Sequence, residues 1–263
     1  MIGRHFVAAV MLGSLAVPQQ APKITIHLAG DSTMAEKLVE KRPETGWGEM
    51  LQPYLDTASV RVMNHARNGR STRTFISEGR WQELVDSLKA GDYVFIQFGH
   101  NDESKEKTDR YTPPADYKAN LVRMVTETRA KGAIPILMTP VARRRFHTKG
   151  DFYDTHGEYP DLVREVAASE RVALVDMNRS SGDVLRLFGP EASSALFLQL
   201  APGENANYPN GIQDNTHFSP FGARVMAALA VEGIRTAGLD LAKHLRVIPA
   251  PNVPAVRDSS GKL

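Results

Sequence analysis

The chain of 263 residues is 42% hydrophobic and 24% charged, which is typical of a globular protein and unlike a disordered or fibrous one. Its 32 Lys and Arg residues nearly balance 30 Asp and Glu residues, so the net charge of +2 gives no general attraction to nucleic acid. The absence of cysteine excludes disulfides, a thiolate nucleophile, Cys-ligated metal centres and a lipid-modified N-terminal cysteine.

The first residues have the pattern of an export signal. Arg4 precedes a short apolar run over residues 6–17, and Ser14-Leu15-Ala16 is a candidate cleavage site. The alternatives are a buried first helix or strand and an uncleaved anchor, although the run is short for a membrane span. We expect residues 1–16 to be a signal peptide and residues 17–23 a linker. The protein is then secreted or periplasmic, without stable membrane association.

Five short runs rich in β-branched or aromatic residues predict strands, and stretches with helical spacing separate them. This alternation predicts an α/β domain with a mostly parallel sheet, spanning residues 24–245 and followed by a tail over residues 246–263. The predicted strands cover residues 24–29, 60–65, 93–98, 134–139 and 172–176. The predicted helices cover residues 47–55, 80–90, 117–130, 160–169 and 220–237. Residues 139–159 and 189–215 are expected to form long loops, which in compact domains are often functional.

Four polar motifs lie in the connections of this pattern. Three of them follow the first three predicted strands, and the fourth precedes the last predicted helix. They are Gly30-Asp31-Ser32-Thr33, Asn68-Gly69-Arg70-Ser71, Gly99-His100-Asn101-Asp102 and Asp214-Asn215-Thr216-His217. Because ligands bind outside the carboxyl ends of parallel strands, we expect these motifs to form one site.

Each motif alone is explained by an ordinary turn or helix cap. Together they contain the groups that nucleophilic catalysis requires. Ser32 is the candidate nucleophile, and the Asn101 amide is a candidate donor to a developing oxyanion. Asp214 and His217 are three residues apart, a spacing that in a helical turn lets the carboxylate orient the imidazole.

The four motifs resemble the four blocks of the SGNH (GDSL) hydrolases, whose Ser, Gly, Asn and His match Ser32, Gly69, Asn101 and His217 in order. The similarity to the rhamnogalacturonan acetylesterase family is broader and runs from about residue 24 to about residue 238. Its further segments are Gly46-Trp47-Gly48, Arg70-Ser71-Thr72-Arg73-Thr74-Phe75, Glu78-Gly79-Arg80-Trp81, Gln97-Phe98-Gly99 and Thr139-Pro140-Val141-Ala142-Arg143-Arg144. The resemblance implies a three-layer α/β/α flavodoxin-like fold and removal of acetyl groups from pectic or related polysaccharides.

The resemblance also implies roles for the matched residues. Ser32, His217 and Asp214 are expected to form a catalytic triad, with an oxyanion hole made of the Ser32 and Gly69 backbone N–H groups and the Asn101 amide. This chemistry requires no metal and no organic cofactor. The expected partner is an acetylated polysaccharide or oligosaccharide, and we expect a monomer.

Residues that recognise the substrate are harder to predict. Arg143 and Arg145 follow the fourth predicted strand, where a guanidinium could pair with a uronate carboxylate; the alternative is a solvated basic loop. His156 and Tyr159 are further rim candidates by their loop position, although a loop histidine is often only a surface group. Trp47 and Trp81 begin predicted helices, which favours a core position over sugar stacking.

Other functions remain open at this point. His147, His156, Asp151 and Asp154 have a spacing that fits no metal site. A lipid esterase or thioesterase uses the same four blocks, but its apolar lid or groove has no counterpart in the polar loops of this chain. Xylan or another acetylated glycan is an alternative substrate, and a non-catalytic glycan-binding protein would not need the full set of reactive groups. The glycine loops and the lysine of nucleotide-binding motifs are missing.

Overall fold

A five-stranded parallel sheet forms the centre of the computed structural model, which describes residues 24–248. The strand order is β2-β1-β3-β4-β5, and every neighbouring pair is parallel. The strands are β1 (Ile24–Gly30), β2 (Val60–Asn64), β3 (Tyr93–Gln97), β4 (Ile134–Met138) and β5 (Ala173–Val175). Each predicted strand is found, with its ends shifted by at most one residue, so the predicted parallel sheet is confirmed.

Helices cover both faces of this sheet. They are α1 (Thr72–Ser77), α2 (Arg80–Ser87), α3 (Pro114–Ala130), α4 (Tyr159–Ser169), α5 (Met177–Ala192) and α6 (Pro220–Thr236). Alternate strand residues point to opposite faces, and two apolar cores result. Phe95 packs in the core with α5 and α6, whereas Val94 and Ile96 pack in the core with α2, α3 and α4. The three-layer α/β/α arrangement implied by the resemblance is confirmed.

The strand order determines where a site can form. The chain leaves β1 toward β2 on one side of it, and then crosses to β3 on the other side. Such a reversal opens a crevice at the carboxyl ends of the strands concerned. The segments after β1, β2 and β3 contain Ser32, Gly69 and Asn101, so the topology brings the first three motifs to one sheet edge.

The segment over residues 47–55 differs from its prediction as one helix. It forms two short 3-10 turns, Trp47–Met50 and Gln52–Tyr54. Pro53 has no N–H to donate to an α-helical bond, which explains the interruption. Gly48 packs so closely that a Cβ there would lie 2.6 Å from the carbonyl oxygen of Met34. This segment therefore supports the turn that contains Ser32 rather than forming a regular crossover helix.

Helix α1, helix α5 and a second pair of strands were not predicted. Helix α5 occupies part of the chain with no predicted element and reaches residue 192, beyond a non-helical Gly189. The predicted loop over residues 189–215 also contains an antiparallel pair, β6 (Phe197–Leu200) with β7 (Ile212–Phe218). Within residues 24–248, no helix is long and apolar enough to cross a membrane. The predicted leader and linker, and the tail from residue 249 onward, lie outside the described residues.

Candidate active site

Ser32 lies in a single helical turn directly after β1. The backbone N–H groups of Met34 and Ala35 both donate to the carbonyl of Asp31, at 3.2 and 3.0 Å. Gly30 ends the strand where a Cβ would lie 2.9 Å from the carbonyl oxygen of Gln97, so this close approach requires glycine. The turn places the Ser32 hydroxyl at the carboxyl edge of the sheet.

The side chains of Ser32, His217 and Asp214 form a continuous hydrogen-bonded chain. His217 Nε2 lies 2.8 Å from Ser32 Oγ, and His217 Nδ1 lies 2.6 Å from Asp214 Oδ2. Burial disfavours the charge on Asp214, but the hydrogen bonds from His217 and from two backbone N–H groups lower its pKa below the ordinary value. Because an ionised carboxylate only accepts, Nδ1 carries the proton and Nε2 is left to accept from the serine.

The Asp214 to His217 segment is not the helical turn that the three-residue spacing suggested. It belongs to β7, which pairs with β6 at Gln213 with Gln199 and at Phe218 with Phe197. Between these two pairs, residues 214–217 lie opposite Leu198 alone and form a bulge. Asp214 Oδ1 accepts from the backbone N–H of Thr216 and His217, at 2.7 and 2.9 Å. These two bonds tighten the bulge and turn both side chains toward Ser32.

Gly69 and Asn101 lie in the segments that follow β2 and β3. Gly69 has φ +76°, a left-handed conformation that favours glycine. The Asn101 amide donates one hydrogen bond to the carbonyl of Arg70, at 3.0 Å, and so joins the loop that contains Gly69. An amide nitrogen has two hydrogens, and the second one is left for a ligand. The segments after three adjacent strands can therefore each present a hydrogen-bond donor, at Ser32, Gly69 and Asn101.

Three buried ionisable groups within the motifs, Asp31, His100 and Asp102, were given no catalytic role from the sequence. Asp31 Oδ2, Asp102 Oδ2 and both ring nitrogens of His100 have no hydrogen-bond partner in the described part of the chain. Burial raises the pKa of Asp31, and it raises the pKa of Asp102 to about 7. Burial also lowers the pKa of His100 well below its usual value. Burial therefore favours the uncharged form of all three groups.

Lys37 is a further site residue that the sequence analysis missed. Its side chain is fully buried, and its ammonium lies 2.5 Å from the carbonyl oxygen of Ser32, 3.0 Å from Asn68 Oδ1 and 2.7 Å from Glu44 Oε1. No spacing in the sequence indicates this contact, because Asn68 is 31 residues away.

A charged cleft of about 550 Å³ lies between the segments that follow β3 and β4. Residues 103–107 line one part of it, and residues 155–159 line another, together with Arg143 and Arg145. The cleft starts two residues after Asn101. Arg145 is exposed there, and its predicted contact with substrate stays a prediction.

The prediction that His156 contacts substrate does not fit the structure. Its imidazole has no exposed surface, and its ring nitrogens face Glu103 Oε2 at 2.7 Å and the carbonyl of Val141 at 2.8 Å. Arg143 is also engaged within the protein, because its guanidinium donates to Glu103, to Thr155 and to the carbonyl of His100. Both residues shape one wall of the cleft instead of presenting free polar groups.

Several other sequence interpretations can now be compared with the geometry. Trp47 and Trp81 are completely buried, with ring N–H groups that donate to Gln97 and Glu127, so their predicted core positions are confirmed. Arg144, to which no role was given, donates to Asn215 from its backbone and its guanidinium and thereby holds the bulge. Within residues 24–248, no cluster of His, Asp and Glu has the arrangement of a metal site.

Comparison with known proteins decides the family. The model of the GDSL-like Lipase/Acylhydrolase family matches residues 28–225, which is most of the chain. The chain belongs to this family. The GDSL-like family assignment agrees with the four blocks and the hydrogen-bonded serine described above.

The relatives of this GDSL-like protein also confirm the narrower resemblance to the rhamnogalacturonan acetylesterase family. The chain is 40% identical to rhamnogalacturonan acetylesterase RhgT of Bacillus subtilis over 222 residues, which cover 84% of this chain and 94% of that protein. It is 28% identical to rhamnogalacturonan acetylesterase of Emericella nidulans, over 89% of this chain and 94% of that protein.

Solved structures agree with the fold. The crystal structure of Bacillus subtilis YxiM has a TM-score of 0.71 and 28% identity, and the match covers 84% of this chain and 58% of that one. Axe2, an acetylxylan esterase from Geobacillus stearothermophilus, has a TM-score of 0.58 and 21% identity, over 85% of this chain and 98% of that one. At this identity the likeness to Axe2 supports the fold alone.

Proposed function

We propose that this protein is a serine esterase that removes O-acetyl groups from a pectic polysaccharide of the rhamnogalacturonan type. The observation that carries the proposal is the continuous chain from Asp214 through His217 to the Ser32 hydroxyl, with contacts of 2.6 and 2.8 Å. The named rhamnogalacturonan acetylesterases, which align over more than four fifths of the chain, support this substrate class.

The proposed reaction has two halves. In the first, His217 Nε2 takes the proton of the Ser32 hydroxyl while Oγ forms a bond to the acetyl carbonyl carbon. Asp214 holds the tautomer that makes this possible and stabilises the imidazolium. The carbonyl π electrons move to oxygen, and the oxyanion is held by the Ser32 and Gly69 N–H groups and the Asn101 amide.

The intermediate then collapses by breaking the bond to the sugar oxygen, which takes the proton from His217 and leaves as an alcohol. Ser32 now carries the acetyl group as an ester. In the second half, His217 removes a proton from water as the water oxygen attacks this ester. The second intermediate breaks the bond to Ser32 Oγ, which regains its proton, and acetate is released.

The charged cleft supports a polar polysaccharide over a lipid as the alcohol part of the substrate. Its lining contains the acids Glu106 and Glu158 as well as the cations Lys105, Lys107 and Arg145. These cations can attract uronate carboxylates. Within this cleft Glu103 already pairs with Arg143, so Arg145 is the arginine that we assign to substrate recognition. A long acyl chain would instead require an extended apolar groove.

Acetate release tests the proposal directly. Wild type and Ser32→Ala are compared on acetylated rhamnogalacturonan, acetylated xylan and a long-chain acyl ester. Ser32-dependent release from the pectic polymer, with little from xylan, is the expected result. Equal release from xylan would retain the mechanism but overturn the pectic specificity. Full activity of Ser32→Ala, or activity on the long-chain ester alone, would contradict the proposed function.

We also propose that the protein acts outside the cytoplasm as a monomer. The apolar run over residues 6–17 after Arg4 supports export, and the polymeric substrate is too large to enter a cell unaided. N-terminal sequencing of protein recovered from the periplasm or medium is expected to show a chain that begins near residue 17. An unprocessed chain in the cytoplasm, or a dimer in light scattering, would contradict the corresponding part of this proposal.

A further inference from the structure

Lys37 occupies an unusual position for a lysine, because none of its side chain is exposed. An ammonium group has three hydrogens, and here each has an oxygen acceptor. The acceptors are the carbonyl of Ser32 at 2.5 Å, Asn68 Oδ1 at 3.0 Å and Glu44 Oε1 at 2.7 Å. Glu44 supplies the opposite charge that a buried ammonium requires.

The contact with Ser32 replaces a missing backbone bond. In a continuing helix the Ser32 carbonyl would accept from the N–H four residues later. The turn ends at Ala35, so this carbonyl resembles the unsatisfied group at the end of a helix. Lys37 supplies its donor and so fixes the orientation of the peptide groups around Ser32.

The contact with Asn68 reaches the second loop. Asn68 precedes Gly69, whose left-handed backbone sets the direction of its N–H group. The Asn68 side chain is part of an exposed turn, and its bond to Lys37 joins this turn to the buried interior. One ammonium therefore links the loop after β1 to the loop after β2.

We propose that Lys37 is a positioning residue that holds together the two loops whose backbone N–H groups form the oxyanion hole. This inference rests on the proposed esterase mechanism, in which the Ser32 and Gly69 amides stabilise the oxyanion. Lys37 does not contact the substrate. It sets the separation of the two amides before the reaction begins, which is the condition for strong electrostatic stabilisation of a transition state.

The main test is the double variant Lys37→Met/Glu44→Gln, which removes the ammonium without leaving a buried carboxylate unpaired. The substrate is 4-nitrophenyl acetate, a small neutral ester that does not need the charged cleft. We expect kcat to fall about 100-fold with KM changed less than about threefold, because misplacement of a reacting geometry by about 1 Å has an effect of this size. Glu44→Gln alone removes only the opposite charge and is measured beside it; its fall in kcat is expected to be smaller than that of the double variant, because Lys37 keeps its oxygen acceptors in both loops.

A boronic acid that forms a tetrahedral adduct with serine provides a readout that a merely structural role would not move. Its affinity for the double variant is expected to fall by a factor similar to that of kcat, while the thermal midpoint still reports a folded protein. The proposal would be overturned by a folded double variant that binds the boronic acid with wild-type affinity and has a kcat within threefold of wild type.

Chemical rescue adds a second test, because the chain contains no cysteine. Lys37→Cys can be alkylated with 2-bromoethylamine in denaturant and refolded, which restores an ammonium of nearly the same reach at position 37 alone. Wild type taken through the same procedure is the control. The aminoethylated protein is expected to recover kcat to within about tenfold of that control, and alkylation with the neutral iodoacetamide is not expected to do so.

Asn68→Ala keeps the test decisive if the position 37 variants do not fold, because Asn68 is exposed and its loss leaves the core unchanged. We expect a fall in kcat of about tenfold, since one of the two loops loses its link to Lys37. An unchanged kcat would overturn the proposal. Ser32→Ala is measured in parallel: if it stays active the proposed function itself fails, whereas an inactive Ser32→Ala beside fully active Lys37 and Asn68 variants would reject only the role of Lys37.

Discussion

Glu103 holds Arg143 and His156 at the same time, since its two carboxylate oxygens face the guanidinium of one and Nδ1 of the other. The imidazole is fully buried and the other two side chains are largely so. This three-residue cluster joins the segment after β3 to the segment after β4 and forms a wall of the charged cleft. It explains why Arg143 is engaged within the protein while Arg145, two residues later, is exposed.

Replacement of Arg143 by Ala is expected to destabilise the protein. The change leaves Glu103 with one partner in a largely buried place, and loss of one member of a buried ion pair costs about 3–5 kcal/mol. His156 Nδ1 still faces the Glu103 carboxylate, so we expect a loss of about 2–3 kcal/mol. Urea unfolding of wild type and Arg143→Ala measures this loss of stability. Arg143→Ala/Glu103→Gln should recover part of the loss, and a single variant as stable as wild type would contradict the structural role.

Replacement of Arg145 by Ala is expected to change substrate binding without changing stability. Arg145 is exposed in the cleft, where a guanidinium can pair with a uronate carboxylate. We expect KM for acetylated rhamnogalacturonan to rise about five- to tenfold, the effect of about 1–1.4 kcal/mol, with kcat and the KM for 4-nitrophenyl acetate unchanged. Arg235→Ala, at the far end of α6, is the matched control. An equal rise in KM on both substrates would argue against recognition of a carboxylate.

Asp214→Asn is expected to lower kcat by about 10³- to 10⁴-fold while the fold is retained. An amide nitrogen facing His217 Nδ1 would favour the tautomer with the proton on Nε2, which cannot accept from Ser32. Steady-state kinetics with 4-nitrophenyl acetate measure the loss, and circular dichroism checks the fold. Asp240→Asn, an exposed surface change, is the control. Near wild-type activity of Asp214→Asn would show that another group orients the base.

The sequence indicated the sheet and the location of the site because local patterns control both. Short β-branched runs separated by helical spacing predict parallel strands, and polar motifs at their ends predict a site at one edge. The Asp214 and His217 contact was expected for a different reason than the structure shows, since the three-residue spacing suits a helical turn but here comes from a bulge in β7. Hydrogen bonds of Asp214 to the backbone decide this conformation, and spacing alone does not reveal them.

What the sequence did not reveal depends on contacts between distant segments. His156 lies in a loop, but its ring turns inward because Glu103, 53 residues away, accepts its hydrogen bond. In the sequence, Lys37 has no feature that distinguishes it from a surface lysine. Its contacts with Asn68 and the Ser32 carbonyl form only in the folded protein. Helix α5 was not predicted because Ser180, Ser181 and Gly182 lower the helix propensity of this segment. The burial of α5 against the sheet compensates for this low propensity.

Asn101→Ala is expected to lower kcat by about 10²- to 10³-fold, which is the usual effect of losing one oxyanion donor. The Asn101 amide has a hydrogen left after its bond to Arg70, and this hydrogen is assigned to the oxyanion. KM for 4-nitrophenyl acetate should change little because the interaction forms in the transition state. Asn178→Ala, which removes a partly buried amide bonded to Asp154, is the control. An unimpaired Asn101→Ala would remove this residue from the mechanism.

A stacked histidine pair away from the active site is expected to make the protein sensitive to acid. His27 Nδ1 lies 3.0 Å from His65 Nε2, and burial, followed by the charge of His27, lowers the pKa of His65 from 6.5 to about 4. The unfolded chain therefore binds a proton at His65 at a higher pH than the folded protein does. Between pH 6.5 and 4 this difference lowers the free energy of unfolding as the pH falls.

Since a tenfold difference in proton affinity corresponds to about 1.4 kcal/mol, we expect His65 to account for a loss of roughly 2–3 kcal/mol between pH 7 and pH 4. Denaturant unfolding of wild type and His65→Gln at a series of pH values measures it. The variant, which has no proton to bind at this position, should lose less stability than wild type over this range. His244→Gln, in the turn Asp240–His244, serves as the control for loss of a histidine. Parallel stability curves for wild type and His65→Gln would contradict the role of the pair.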